Sequence, residues 1–269
     1  AVVLEPGSPF LFKLHSPHNA IVGGGFYVRY SALPARVAWD AFGADNGVPD
    51  YATLRKRVEQ YRAGSVTGDP FIGCNVLNGP FFLPESEWIP SPESWSPNIV
   101  QGKSYLTSQP EGRAIWSAVL TRLGPAALDQ APDEARYGAD YLTRARLGQG
   151  AFRILVTDAY ERRCAITGEK TLPVLEAAHI QPYAESGPHQ VANGLLLRSD
   201  LHTLFDRGYI TVTDELRVEV SPRIKEEFSN GREYYRHHGQ QLMVVPGLPT
   251  DRPSTAFLRW HNEQRFLSS

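Results

Sequence analysis

Cysteine is scarce in this chain of 269 residues, with Cys74 and Cys164 as its two copies, far apart in sequence. That excludes a disulfide scaffold and predicts two buried thiols in a reducing, cytoplasmic setting. Paired CxxC spacings are missing, so no cysteine-built structural zinc is expected. Long apolar runs are missing too: nothing approaches the roughly 18–20 residues that span a bilayer, and no membrane partner is expected. No charged-then-apolar leader pattern opens the sequence. An excess of one charge is also absent, 27 Lys and Arg standing against 29 Asp and Glu for a net charge of -2. A histone-like polycation is thereby excluded, and any nucleic-acid surface has to be a local patch. There is no internal repeat or low-complexity tract. What remains, with 42% hydrophobic and 21% charged residues, is a globular composition in a length that suits two domains.

The first half reads as β-rich. Residues 9–15 (PFLFKLH) and 20–31 (AIVGGGFYVRYS) are aromatic and β-branched runs separated by a turn-prone SPHN. Three consecutive glycines, Gly23 to Gly25, predict a bulge or a close backbone approach. Pro34 opens a short helix ended by Gly43, and Asp50 caps a second over 50–62, with Leu54, Val58 and Tyr61 at helical spacing. A strand pair is expected at 71–77 and 80–83, then a Pro/Ser/Trp-rich loop over 88–97 and a helix over 112–123. Residues 124–139, rich in proline, glycine and small polar residues, read as a linker. The division is 1–125 as one domain, 126–140 as linker and 141–269 as the second domain. In the second half, helices are expected over 150–160, 222–228 and 255–266, and strands over 217–220 and 241–245.

Chemistry concentrates between Arg162 and Val212. Residues 164–167 and 173–178 read as a hairpin turning at Gly168-Glu169-Lys170, with His179 at the end of its second strand. A loop carrying Pro182 and Gly187-Pro188 leads to Asn193, from which a helix containing His202 and Asp206 is expected. Those two side chains are four residues apart and share a helical face, so both can reach one divalent cation. An imidazole on the facing strand can then take a proton from water. Phosphodiester hydrolysis needs both, a cation to neutralise phosphate oxygens and a base titrating near neutrality. A side-chain amide at 193 can hold the loop and so fix the imidazole.

The order His179, Asn193, His202 in this setting resembles the HNH nuclease motif of the ββα-metal fold. The segment AAHIQPY…NGLLLRSDLHTLFDRG is similar to its bacterial restriction-endonuclease branch, over roughly residues 147–266. The resemblance implies His179 as general base, Asn193 as the loop-fixing asparagine and His202 as a metal ligand, with Asp206 where the second helix ligand falls. It departs at Ala178, where many members carry an Asp or His ligand. Glu176 is one substitute, and water or a substrate oxygen is the favoured one. The donors suit Mg²⁺ or Mn²⁺ and leave Ni²⁺ or Zn²⁺ open. His189 and His237-His238 read as surface residues, and Cys164 as hairpin core. Arg144, Arg146, Arg153, Arg162, Arg163 and Lys170 make a local basic excess where a DNA backbone would pass, and Arg162, Arg163 and Arg207 are candidate phosphate contacts. For Arg207 a helix-end charge is an equal alternative.

The first half weakly resembles PUA-like modules, the group that includes ASCH, EVE, YTH and SRA domains and binds modified bases. That implies an α+β protein, with a β-rich PUA-like domain followed by a ββα-metal nuclease domain. Tyr30, Trp39, Trp88 and Trp95 are the candidates for stacking on a flipped base, with Trp88 and Trp95 favoured. The expected activity is metal-dependent cleavage of DNA, with modified cytosine as the target. The other readings are a DNA-binding module with a decayed nuclease half, motivated by Ala178, and a nuclease acting on RNA or structured DNA. A homodimer is expected on the ground that one site cuts one strand.

Overall fold

The computed structural model describes residues 4–62, 67–96, 98–99, 102–123 and 148–268. The proposed linker, together with Arg144 and Arg146, lies outside the described residues. The chain divides into two compact units, one made of residues 1–32 and 73–145, the other of 33–72 and 146–269. None of the helices among the described residues is long and apolar enough to cross a membrane.

In the first unit, strands β1 (Pro9–Lys13), β2 (Ala20–Pro34) and β3 (Phe71–Phe82) form a sheet in that order, and β4 (Ile89–Pro90) also pairs with β2. The β1–β2 pairing is antiparallel, matching Phe12 to Gly23 and Lys13 to Ile21, so the register skips a residue there. Both features expected of the glycine run are therefore present. A Cβ on Gly24 would stand 2.5 Å from the Phe10 carbonyl oxygen and 2.8 Å from a Leu11 methyl. Only glycine lets β2 lie that close to its neighbour. Where two short strands are expected, β3 runs unbroken through Pro80, a residue that a flanking strand tolerates because no inner ladder bond is lost. Helix α1 (Ala35–Phe42) and helix α2 (Tyr51–Tyr61) follow β2 in sequence, with the Asp50 carboxylate capping α2 by accepting from the Thr53 N–H. Helix α3 (Pro110–Leu123) supplies Val119 to the first unit's core beside Ile21, Leu83 and Ile89.

Segment 33–72 belongs to the second unit and not, as the division at 125 has it, with the rest of the first half. Hydrogen bonds within that unit account for the difference. Asp69 accepts from the Arg36 backbone N–H at 3.1 Å and the Tyr51 hydroxyl at 2.9 Å, closing α1 and α2 on each other. Arg153, on helix α4 (Gln149–Ala159), donates to the Asp40 carbonyl at 3.3 Å. Arg153 and Asp40 lie 113 residues apart, beyond the reach of a composition shift.

The core of the second unit is built on strands β5 (Leu175–His179) and β6 (Gly194–Arg198) and helix α5 (Ser199–Asp206). β5 and β6 pair antiparallel from Leu175–Arg198 to His179–Gly194. This hairpin is not the expected one. Residues 164–168 form a tight turn, in which the Gly168 N–H donates to the Cys164 carbonyl, and the segment after Asn193 is a strand before it is a helix. Leu195, Leu196 and Leu197 are all 0% exposed, and a short continuous apolar run of that kind is a strand buried on both faces. Beyond it come β7 (Ile210–Val212), β8 (Val218–Val220), α6 (Arg223–Phe228), α7 (Arg232–Tyr235) and α8 (Thr255–Gln264). Residues 241–245 give one isolated bridge, Arg217 to Gln241, in place of the expected strand.

On α8, His261 is buried, its ring stacked on Phe205 at 3.8 Å between centroids. Its Nε2–H donates to the Phe205 carbonyl at 3.1 Å. Burial pulls its pKa from 6.5 down to about 4. Unfolded chains take up that proton near pH 6.5 and the folded chain does not, so stability held above that pH is lost as pH falls toward 4. The loss at His261 is on the order of 3 kcal/mol, and chemical denaturation of His261→Gln, compared with the parent at pH 7 and 4.5, should show a smaller pH dependence. In the first unit, Gly24→Ala should lower stability by about 1–3 kcal/mol through overpacking, read as an earlier urea transition.

Candidate active site

A cleft of about 500 Å³ opens over β5 and α5, lined among others by Phe152, Glu176, His179, Tyr183, His202 and Asp206, with Arg153 and Arg265 also at its wall. Three of the four motif residues expected to carry chemistry thus share one cavity. The fourth, Asn193, is fully buried behind it. Its Oδ1 accepts from the Gln181 N–H, and its Nδ2 donates to the Gln181 and Pro188 carbonyls, each at 2.9 Å. A single amide so ties both arms of loop 180–193 directly beside His179.

His179 ends β5, opposite Gly194, where the missing side chain matters. A Cβ at 194 would stand 2.5 Å from Val156 and 3.0 Å from the Phe152 ring. Glycine therefore lets α4 press on the hairpin, and Phe152 stacks on the His179 ring at 3.9 Å with 11° between planes. The other side of His179 meets His189, their Nε2 and Nδ1 atoms 2.9 Å apart. His189 stacks in turn on Tyr183 at 4.5 Å and 8°. His189 is thus half-buried beside the proposed base, contrary to the surface position expected; loop 180–193 folds back on itself, which no local pattern signals. Burial first, and then the charges of His189 and His202, lower the His179 pKa to about 4. Its ring is neutral across the physiological range, below the near-neutral titration that a base would be expected to have.

On α5, His202 stands between two carboxylates. Its Nδ1 is 2.6 Å from Glu176 Oε2 on β5, and its Nε2 is 3.3 Å from Asp206 Oδ2 one turn along the helix. Desolvation in the cleft raises the Asp206 carboxyl above its ordinary value; His202 and Arg265 pull it down, and the charge of Glu176 adds to the rise. Ala178, whose identity raised the possibility of decay, is 0% exposed and belongs to the core. A ligand there would have to leave the core to enter the cleft, whereas Glu176 already faces it.

The remaining candidates lie elsewhere. Arg162 pairs with Asp158 at 3.3 Å, Arg163 packs beside Gly168, and Arg207 is exposed after the last turn of α5. None of the three lines the cleft; its arginines are Arg153 and Arg265. Arg265 is paired with Glu185 and was not visible as a site residue, because it follows the distant helix α8. Among the aromatic candidates, Tyr30 is 60% exposed and Trp95 carries Lys13 over its ring at 5.1 Å. Trp88 packs on the Ile21–Leu83–Ile89–Val119 cluster and donates to the Leu83 carbonyl at 3.1 Å. Trp39 sits half-buried on α1 in the second unit.

Residues 164–213 match the family model described as HNH endonuclease, a narrower span than the resemblance over 147–266. That segment is an HNH endonuclease domain, and its position coincides with the hairpin, loop and helix of the cleft. No curated protein matches the chain. Among solved structures, a modification dependent TagI restriction endonuclease is similar at 23% identity and a TM-score of 0.30 over 42% of this chain. The match spans 37% of that protein's length.

Removing the amide of Asn193 leaves buried backbone groups of loop 180–193 unpaired, at about 1–3 kcal/mol for each such group. Asn193→Ala should therefore shift the thermal or urea transition downward markedly. Asn193→Asp should not restore it, since a carboxylate cannot donate to the Gln181 and Pro188 carbonyls.

Proposed function

We propose that this protein is a metal-dependent DNA endonuclease in which His179 is the general base. The convergence of His179, Glu176, His202 and Asp206 on one cleft carries that reading. Two carboxylates and an imidazole form a hard, mixed donor set of the kind that Mg²⁺ or Mn²⁺ accepts, with Ni²⁺ or Zn²⁺ as alternatives. Among the described residues no three such side chains already surround a common point; the carboxylates meet His202 in pairs instead. Those side chains are a quarter to a half exposed, so the carboxylates can turn from pairing with His202 to share a cation with it. Glu176 then takes the role that the usual ligand before the base would have. A bound cation would neutralise non-bridging and leaving oxygens of the phosphate.

The chain's own groups supply the rest. The neutral His179 ring takes the proton of the attacking water, Phe152 and the Asn193-fastened loop hold the ring still, and Arg153 and Arg265 offer guanidinium groups to backbone phosphates. The first unit, read as a PUA-like module, selects DNA that carries a modified cytosine, with Tyr30 and Trp95 as its stacking surface. A homodimer would bring one such cleft to each strand.

Plasmid and phage DNA bearing different cytosine modifications, incubated with Mg²⁺, Mn²⁺ or Ni²⁺, tests the proposal. Cleavage should require the cation and should fall by roughly 10²–10⁴-fold in His179→Ala. Glu176→Gln should raise the cation concentration needed for half-maximal cleavage, roughly 10–100-fold. Trp95→Ala should weaken preference for modified over unmodified DNA without altering the cation requirement. Cleavage that persists undiminished in His179→Ala would overturn the assignment of the base.

A further inference from the structure

The contact between His179 and His189 carries a consequence for which nitrogen acts. The hydrogen bond joins His179 Nε2 to His189 Nδ1 at 2.9 Å, and a neutral imidazole carries a proton on only one nitrogen. In one arrangement His179 Nε2–H donates, and its Nδ1 keeps a free lone pair. In the other, His189 Nδ1–H donates to His179 Nε2, so His179 carries its own proton on Nδ1 and has both nitrogens engaged. Only the first leaves a nitrogen able to take a proton from water. We propose that His189 is a positioning residue that fixes His179 as the Nε2–H tautomer and so makes Nδ1 the basic atom; this rests on the reading of His179 as base.

The surroundings hold the contact between the two imidazoles, and with it whichever nitrogen faces His189, in place. Phe152 covers one face of the His179 ring nearly parallel to it, so rotation that would exchange the nitrogens is blocked. Tyr183 stacks on His189, and His189 lies in the loop that the Asn193 amide fastens at Pro188. The acceptor is thus held as rigidly as the donor. When Nδ1 takes a proton, the Nε2–H bond to His189 becomes charge-assisted and strengthens, which favours the transfer. As the water oxygen attacks phosphorus, its O–H bond breaks and that proton passes to His179 Nδ1, while the Nε2 proton stays in place. The ionisable groups around the cleft are Glu176 from β5, His202 and Asp206 from α5, Arg153 from α4, Arg265 after α8 and Tyr183 from the loop. His189 is the hydrogen-bond partner of the His179 ring among the described residues, so the tautomer preference is assigned to it.

Long-range proton–nitrogen correlation spectra of the metal-free full chain read the tautomer directly, with His179→Ala identifying the resonances. His179 should be a single Nε2–H tautomer in the parent protein. It should become a mixture in His189→Phe, which keeps the stacking on Tyr183 but cannot accept, and return to one tautomer in His189→Asn, whose Oδ1 can accept. In cleavage assays, His189→Phe should lower kcat roughly tenfold, with KM within about twofold and the acid limb of the pH profile moved, and His189→Asn should recover most of the loss. A His179 found as the Nδ1–H tautomer, or unchanged in His189→Phe, would overturn the role of His189. If His189→Phe cleaves like the parent while His179→Ala is inactive, the positioning role fails and the base stands. If His179→Ala retains cleavage, both fall.

Discussion

The buried amide of Asn193 is the contact on which the cleft depends. β5 and β6 are joined by loop 180–193, and a loop of that length leaves its ends adjacent without fixing what lies between. The Asn193 side chain supplies what the ladder cannot, one acceptor and two donors satisfied by the backbone at Gln181 and Pro188. With the amide 0% exposed, no water competes for those bonds, and an unpaired group there carries its full desolvation cost. His179 precedes the fastened segment and His189 lies within it, so the relative placement of the two imidazoles follows from this one side chain.

Packing and electrostatics then divide the labour across the cleft. On the β5 side, Phe152 and the neighbouring imidazole leave His179 half-buried, and that burial keeps its ring neutral near pH 7. On the α5 side, His202 pairs with two carboxylates, and the charge of Glu176 adds to the rise of the Asp206 carboxyl. The two halves are a short strand and a two-turn helix held in one core by Ala178, Leu195–Leu197, Leu201 and Phe205. Ala178 is better understood as part of that core than as a vacant ligand position, because a carboxylate at 178 would be buried among leucines at a cost of several kcal/mol.

Much of the site was legible because its spacing is local. His202 and Asp206 at i and i+4 on a helix need no tertiary information to be placed on one face, and Asn193 followed by an apolar run marks a loop meeting the core. The hairpin was misplaced for a reason that is also local. GEK looks like a two-strand turn, whereas GLLLR, buried on both faces, lacks the alternation that would mark it as a strand. His189 escaped notice because its partner is reached by loop closure and not by any period. Arg265 escaped because it follows a helix far along the chain, and segment 33–72 joins the second unit through hydrogen bonds to residues that composition cannot connect.

The sequence by itself determined the donor types, their order and the helix that carries two of them, since these depend on residue identity and a 3.6-residue period. It also marked the glycine run at 23–25 as a bulge or a close backbone approach. The tertiary structure alone decided that Glu176 faces the cleft while Ala178 faces the core, that His189 meets His179, and that Arg153 and Arg265, in place of Arg162, Arg163 and Arg207, reach the site. Each of those depends on strand register, loop closure or the packing of distant helices, and such long-range geometry is set by the whole core and not by any window of the chain.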